Sequence, residues 1–184
     1  MFGASHTSST RGSGPVGEVM DPTLSRLLRV SFGGSLACGG VEDGGEATAR
    51  RVAAAMERAD EAGRTAGVRL LDVGPGRART ALTVEPRHLN GHGMCHGGYL
   101  FLLADAAFAY ACNSYGVSAV AAGADIDFLR PVPLGAELVA EAAERARAGR
   151  SGLYDVSVRV AGEVVAEFRG RARQVPGLAG PGGS

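Results

Sequence analysis

Between Gly97 and Asn113 the chain reads Gly-Gly-Tyr-Leu-Phe-Leu-Leu-Ala-Asp-Ala-Ala-Phe-Ala-Tyr-Ala-Cys-Asn, and no other segment limits the fold so tightly. These residues favour a helix, and that helix is apolar on nearly every side. It cannot lie on a surface and must be buried. Asp105 interrupts its apolar run, which in any case falls short of the ~18 residues that a membrane span needs.

Covering elements flank it in sequence. The segment 46–62 is Ala-rich, with Val52, Ala55, Met56 and Ala59 at helical spacing, and predicts an amphipathic helix ended by Gly63. A strand is expected over 68–73, then a turn at Gly74-Pro75-Gly76. A second strand, 77–84, puts Ala78, Thr80, Leu82 and Val84 on one face. Pro86 breaks the pattern ahead of a loop from Asn90 to Gly98. After the central helix come four strand-like runs, 118–129, 136–146, 153–160 and 163–175, with a hairpin turn at Gly162. The second has the Ala and Glu content of a helix, but Leu138, Ala140 and Ala142 alternate with Glu137, Val139 and Glu141, which favours a strand. One buried helix with five or six antiparallel strands is an α+β layout, a curved sheet wrapped around a central helix.

The folded domain is expected to span 46–175. Residues 1–45 are rich in Gly, Ser and Thr, with only 22–32 able to form a short amphipathic turn, and read as a poorly ordered extension. The Pro- and Gly-rich stretch 176–184 reads as a frayed tail. Nineteen basic and nineteen acidic residues give a net charge of zero, so there is no electrostatic case for a nucleic-acid partner. All the basic residues other than histidine are arginines, which excludes a Schiff-base lysine or a phosphate-loop lysine. Cys38, Cys95 and Cys112 form no paired framework, and the first residues do not read as a signal peptide. The expectation is a soluble cytoplasmic protein with no membrane partner.

The chemistry gathers where the loop meets the helix. A helix start presents unpaired N–H groups and a positive dipole end, which can hold an oxyanion. Asp105, two turns in, is costly on an apolar helix unless it is hydrogen-bonded or used. Together these features read as an acyl-transfer site. His88, His92 and His96 fall four residues apart, a spacing that aligns metal ligands only on a helix; Asn90-Gly91 and Gly93 argue against one, so no metal is expected. Cys95 and Cys112 lack an activating neighbour and read as buried, inert thiols.

Taken in order, Leu89-Asn90-Gly91-His92, Cys95-His96-Gly97-Gly98, Leu100-Phe101, Leu103-Ala104-Asp105 and Ala107-Phe108-Ala109-Tyr110-Ala111-Cys112-Asn113-Ser114 resemble the hotdog-fold acyl-CoA thioesterases of the phenylacetic acid degradation type. Ile126-Asp127-Phe128-Leu129-Arg130-Pro131, Gly152-Leu153-Tyr154-Asp155 and Phe168-Arg169-Gly170 continue the likeness. The resemblance implies a tetramer built from dimers, with active sites at subunit interfaces. It makes Asp105 the catalytic carboxylate, acting as nucleophile or as general base on water, and burial would raise its basicity. It makes Gly97, with Gly98 second, the backbone donor to the thioester carbonyl, and gives His96 and Asn90 positioning roles. Arg130, Arg150 and Arg171 are candidates for the phosphates of coenzyme A, because a guanidinium suits phosphate geometry. Phe101, with Tyr99 and Phe108, could line an acyl pocket or simply pack the core. Ala106 departs from well-known members of this group, which carry Thr or Ser directly after the acid.

The expected activity is hydrolysis of phenylacetyl-CoA, hydroxyphenylacetyl-CoA or related short or aryl acyl-CoAs. No cofactor is implied; coenzyme A is part of substrate and product. The alternative is a non-catalytic acyl-CoA sensor on the same fold, against which Asp105 argues. A hotdog hydratase, which needs a differently placed His/Asp pair, matches this helix less well.

Overall fold

The long Ala-rich helix expected over 46–62 is two helices, α1 (Gly44–Ala59) and α2 (Glu61–Ala66), in the computed structural model, which describes residues 44–178. The break is at Asp60, which leaves helical backbone while its carboxylate accepts the Gly63 N–H at 2.9 Å and so caps a new helix. Gly63 therefore sits inside α2, and Gly67 ends it. Residues 1–43, including the amphipathic turn expected at 22–32 and Cys38, lie outside the described residues, as does most of the tail.

The remaining elements follow the sequence pattern closely. They are β1 (Arg69–Gly74), β2 (Arg77–Thr83), one 3₁₀ turn (Pro86–His88), α3 (Gly97–Asn113), β3 (Ala119–Phe128), β4 (Glu137–Ala148), β5 (Ser151–Val160) and β6 (Glu163–Gln174). All six strands are antiparallel neighbours in one sheet, in the order β1-β2-β4-β5-β6-β3. The strand leaving α3 does not pair with the next one in sequence. β3 pairs instead with β6, the last strand, and forms the far edge of the sheet.

The period-2 pattern decides which face meets α3. Ala78, Thr80 and Leu82 of β2, Leu138, Ala140 and Ala142 of β4, and Tyr154, Val156 and Val158 of β5 are buried. Leu103, Ala104, Ala107, Phe108 and Ala111 of α3 are buried with them. The alternate residues carry cross-strand ion pairs, among them Arg79–Glu141 at 3.0 Å and Arg169–Asp155 at 2.7 Å. These pairs are exposed, so each contributes little to stability.

Polar ties fix the middle and the end of α3. Thr80, fully buried, donates to the Leu103 carbonyl at 3.1 Å. Asn113 donates to the Ala119 carbonyl and accepts the Ala119 N–H at 2.9 Å, locking the end of the helix to the start of β3. Phe108 meets Tyr154 edge-on at 5.5 Å and Phe168 at 5.9 Å. Its ring lies over Gly170, where an added Cβ would come within 2.6 Å of it.

The expectation of a helix buried all round fails along one stripe. Phe101 is 37% exposed, and Leu102, Asp105, Ala106 and Ala109 are only partly covered. No helix among the described residues is long and apolar enough to cross a membrane.

Gly170→Ala should cost about 1–3 kcal/mol, because the Phe108 ring is wedged against Tyr154 and Phe168 and cannot yield without loss of packing. Urea unfolding monitored by circular dichroism measures it; an unchanged midpoint would show that the ring relocates freely.

Candidate active site

The loop ahead of α3 is held by backbone bonds rather than by side-chain bulk. Leu89 bridges Cys95 and Met94 bridges Pro133. The Cys95 N–H donates to the Val132 carbonyl and the His96 N–H to the His88 carbonyl, each at 2.8 Å. Asn90 turns the loop: its Oδ1 accepts the N–H groups of His92 at 2.9 Å and Met94 at 3.3 Å. Its Nδ2 donates to no described residue, so one polar arm of Asn90 builds the loop and the other is available.

His96 is the N-cap of α3, and its Nδ1 accepts the Gly98 N–H at 2.9 Å. With Nδ1 taken up as the acceptor, Nε2 points away from the cap. The Tyr99 N–H donates to the His96 carbonyl at 2.9 Å. Of the first three helical N–H groups, only that of Gly97 has no partner among the described residues. The two glycines are therefore not equivalent: Gly98 commits its donor to the cap, and Gly97 offers its own at the positive end of the helix. An added Cβ at Gly97 would lie 3.0 Å from the Phe128 ring, which closes over this position.

Asp105 is part-buried on the open stripe of α3. With Met56, Ala59, Asp60, Leu102, Ala106, Ala109 and Tyr110 it lines a cavity of about 340 Å³ between α3 and the α1–α2 junction. A second cavity, of about 350 Å³, flanks the first towards β3 and shares Met56, Asp105 and Ala109 with it. No described side chain or backbone group donates a hydrogen bond to the Asp105 carboxylate, and no described arginine pairs with it. Burial pushes the acid above the usual carboxylate range, and the negative charge of Asp60 adds to the effect.

The other expected site residues are spread out. Phe101 lies one turn before Asp105 on the same stripe and packs edge-on against Phe168 at 5.4 Å. Arg130 donates to the Val164 carbonyl at 2.9 Å, beyond the β3 end that reaches Gly97. Arg150, in the β4–β5 turn, lines the same small cavity as Cys112, near the opposite end of α3, and has no acidic partner among the described residues. One chain therefore does not bring Arg130 and Arg150 together. Arg171 is already paired with Asp125 at 2.5 Å. His88 is fully buried, with Nδ1 accepting the Glu85 N–H at 2.9 Å, whereas His92 and His96 are exposed. No metal-holding group of His, Cys, Asp or Glu occurs among the described residues. Burial pushes the Cys95 thiol up to about 11 and that of Cys112 up to about 12, which leaves both protonated and unreactive near neutrality.

The sequence reading missed Asp60 and Met56. Asp60 three residues before Gly63, inside an Ala-rich run, was the available signal of an internal cap.

Residues 92–167 match the model of the thioesterase superfamily. The acyl-coenzyme A thioesterase PaaI of Escherichia coli K12 is 44% identical over 124 residues, covering 67% of this chain and 89% of the relative. The structure of the E. coli PaaI protein from the phenylacetic acid degradation operon superposes with a TM-score of 0.69 at 41% identity, covering 71% of this chain and 95% of that one. A mutant of the phenylacetic acid degradation protein PaaI from Thermus thermophilus superposes with a TM-score of 0.62 at 39% identity, covering 63% of this chain and 100% of that one.

A part-buried carboxylate that nothing neutralises costs stability where it is charged. Asp105→Asn should therefore raise the thermal midpoint at neutral pH by about 2–4 °C, the size of a 1 kcal/mol change in a chain of this length. The sign follows from linkage: a raised folded-state acid destabilises above its folded pKa, and the penalty vanishes below the unfolded one. Melting curves of both proteins should converge on acidification; a variant less stable at every pH would show that the carboxylate is satisfied.

Proposed function

The chain belongs to the thioesterase superfamily, with the hotdog-fold acyl-CoA thioesterases, and from that premise we propose that its substrates are phenylacetyl-CoA, hydroxyphenylacetyl-CoA and related short or aryl acyl-CoAs. The reaction itself is hydrolysis of an acyl-CoA thioester to a free acid and coenzyme A. The observation that carries the mechanism is the unpaired Asp105 carboxylate on the wall of an apolar cavity. Such a group is a stronger base and nucleophile than a solvated one. In our reading it either attacks the thioester carbon or takes a proton from the water that does. The carbon–sulfur bond then breaks and coenzyme A leaves as the thiolate; where Asp105 itself attacks, water then hydrolyses the acyl–Asp105 anhydride, releasing the acid and restoring the carboxylate. The free Gly97 N–H stabilises the developing oxyanion at the helix start. His96 supports that donor by occupying the Gly98 N–H, and Asn90 shapes the loop with its Nδ2 left for the carbonyl or the water.

Helix geometry supports a shared site. Gly97 and Asp105 are eight residues apart, about 12 Å along the axis at 1.5 Å per residue. A single thioester cannot touch both within one chain. We therefore place Gly97 of one copy opposite Asp105 of another, in a homodimer or in a tetramer of two such dimers. The open stripe of α3 favours this, as does the uncovered edge strand β3, with Val120 43% and Phe128 54% exposed. The same assembly would let Arg130 and Arg150 of different copies meet one coenzyme A. We place the reaction in the cytoplasm, with no cofactor.

Thiol release from an acyl-CoA panel tests the reading. Asp105→Asn should abolish turnover. Gly97→Pro removes the N–H and adds a ring at a helix position that tolerates proline, and should lower kcat by about 10²–10³. Gly97→Ala, which keeps the N–H and meets the same Phe128 ring, separates donor from bulk and should stay far more active. Mixing Asp105→Asn with Gly97→Pro chains should restore turnover, since a mixed pair holds one intact site. Failure of that complementation would rule out the shared site.

A further inference from the structure

Asp60 ends α1 and caps α2, and neither role requires a carboxylate rather than an amide or hydroxyl. Yet it lines the same cavity as Asp105. Its position is fixed on two sides. The Gly63 N–H holds Oδ1 at 2.9 Å, while Oδ2 rests where any side chain at 63 would project, 2.2 Å from an added Cβ. Glycine at 63 is what lets the carboxylate lie there. The kink between α1 and α2 then aims it at α3.

The geometry points to Asp60 as a positioning residue that acts on the reaction through Asp105, its carboxylate locked by Gly63 on the wall that the two acids share. This rests on Asp105 being the reacting carboxylate. A second carboxylate on the wall of the same cavity makes Asp105 harder to ionise. Here burial raises Asp105 first, and Asp60 raises it further. The other titratable groups nearby are Tyr110 and Cys112 on α3 itself, and Glu57 on α1, which acts on Tyr110. Ser118, Ala119, Val120 and Ala121, closing the opposite side, carry no charge. Asp60 is thus the one anion set against Asp105 from another element among the described residues. By keeping the acid more basic, it makes a better proton acceptor or nucleophile, and it confines activity to higher pH.

The test is the pH dependence of kcat/KM for Asp60→Asn and Asp60→Ser, with Asp105→Asn as reference. Both replacements cap α2 as well as Asp does, so the fold should persist. The inference expects the acid limb to move to lower pH in both variants, with a lower plateau and a several-fold relative gain at the acid end. A loss of the cap alone would scale the whole profile and leave the limb in place. An unmoved limb in both variants, with Asp105→Asn inactive, overturns the inference and leaves the hydrolytic role of Asp105 standing. Turnover surviving in Asp105→Asn overturns that role, and this inference with it.

Discussion

The fold hangs on the burial of α3 in the curve of the sheet. A helix this apolar is soluble only when wrapped, and wrapping needs close approach. Ala104, Ala107 and Ala111 keep its inner face thin, and Gly170 admits the Phe108 ring against the strand behind it. Polar ties then remove the remaining freedom to slide or rotate: Thr80 on the Leu103 carbonyl in the middle, and Asn113 on Ala119 at the end. A helix fixed in this way presents its N-terminus at a defined place. The Gly97 N–H is preorganised by the core, not by the loop alone, and the oxyanion role we propose for it would gain most from that rigidity.

The destabilising features are concentrated on the stripe that the sheet does not cover. There the structure tolerates an unpaired acid, a half-exposed Phe101 and two apolar cavities. A chain selected for stability alone would fill those spaces and replace Asp105 with an apolar residue. Retaining a group that destabilises the folded state is the usual signature of a site where stability has given way to chemistry. The α1–α2 junction shares this character. Its kink gives up helical continuity at Asp60 and sets a second carboxylate in the cavity wall.

Much of this was legible in the residues. The strands over 69–83 and 137–174 and the boundaries of α3 follow from hydrophobic periods of 2 and 3.6, because burial of one face acts residue by residue along an element. The importance of Asp105 followed from the cost of an acid in an apolar run. The break at Asp60 did not, because the helix propensity of so many alanines outweighs, in a window average, a single capping interaction that needs its side chain in one rotamer. The resemblance put the donor at Gly97, but local propensity gave no reason why Gly98 should be the one excluded. That depends on the His96 ring turning its Nδ1 onto Gly98 rather than away from it.

Local rules were enough for the elements, their buried faces, the position of the carboxylate and its distance along the helix from Gly97, since each depends on near neighbours or on helix rise. Only the closed fold settled that β3 lies against β6 and not β4, that Arg130 and Arg150 fall at opposite ends of α3, and that Asp60 faces Asp105. The division has one physical cause. Periodicity records which side of an element avoids water, but not which distant element provides the cover. Strand order and the meeting of charges across a cavity emerge only when the whole sheet closes around the helix and every apolar face competes for the same interior.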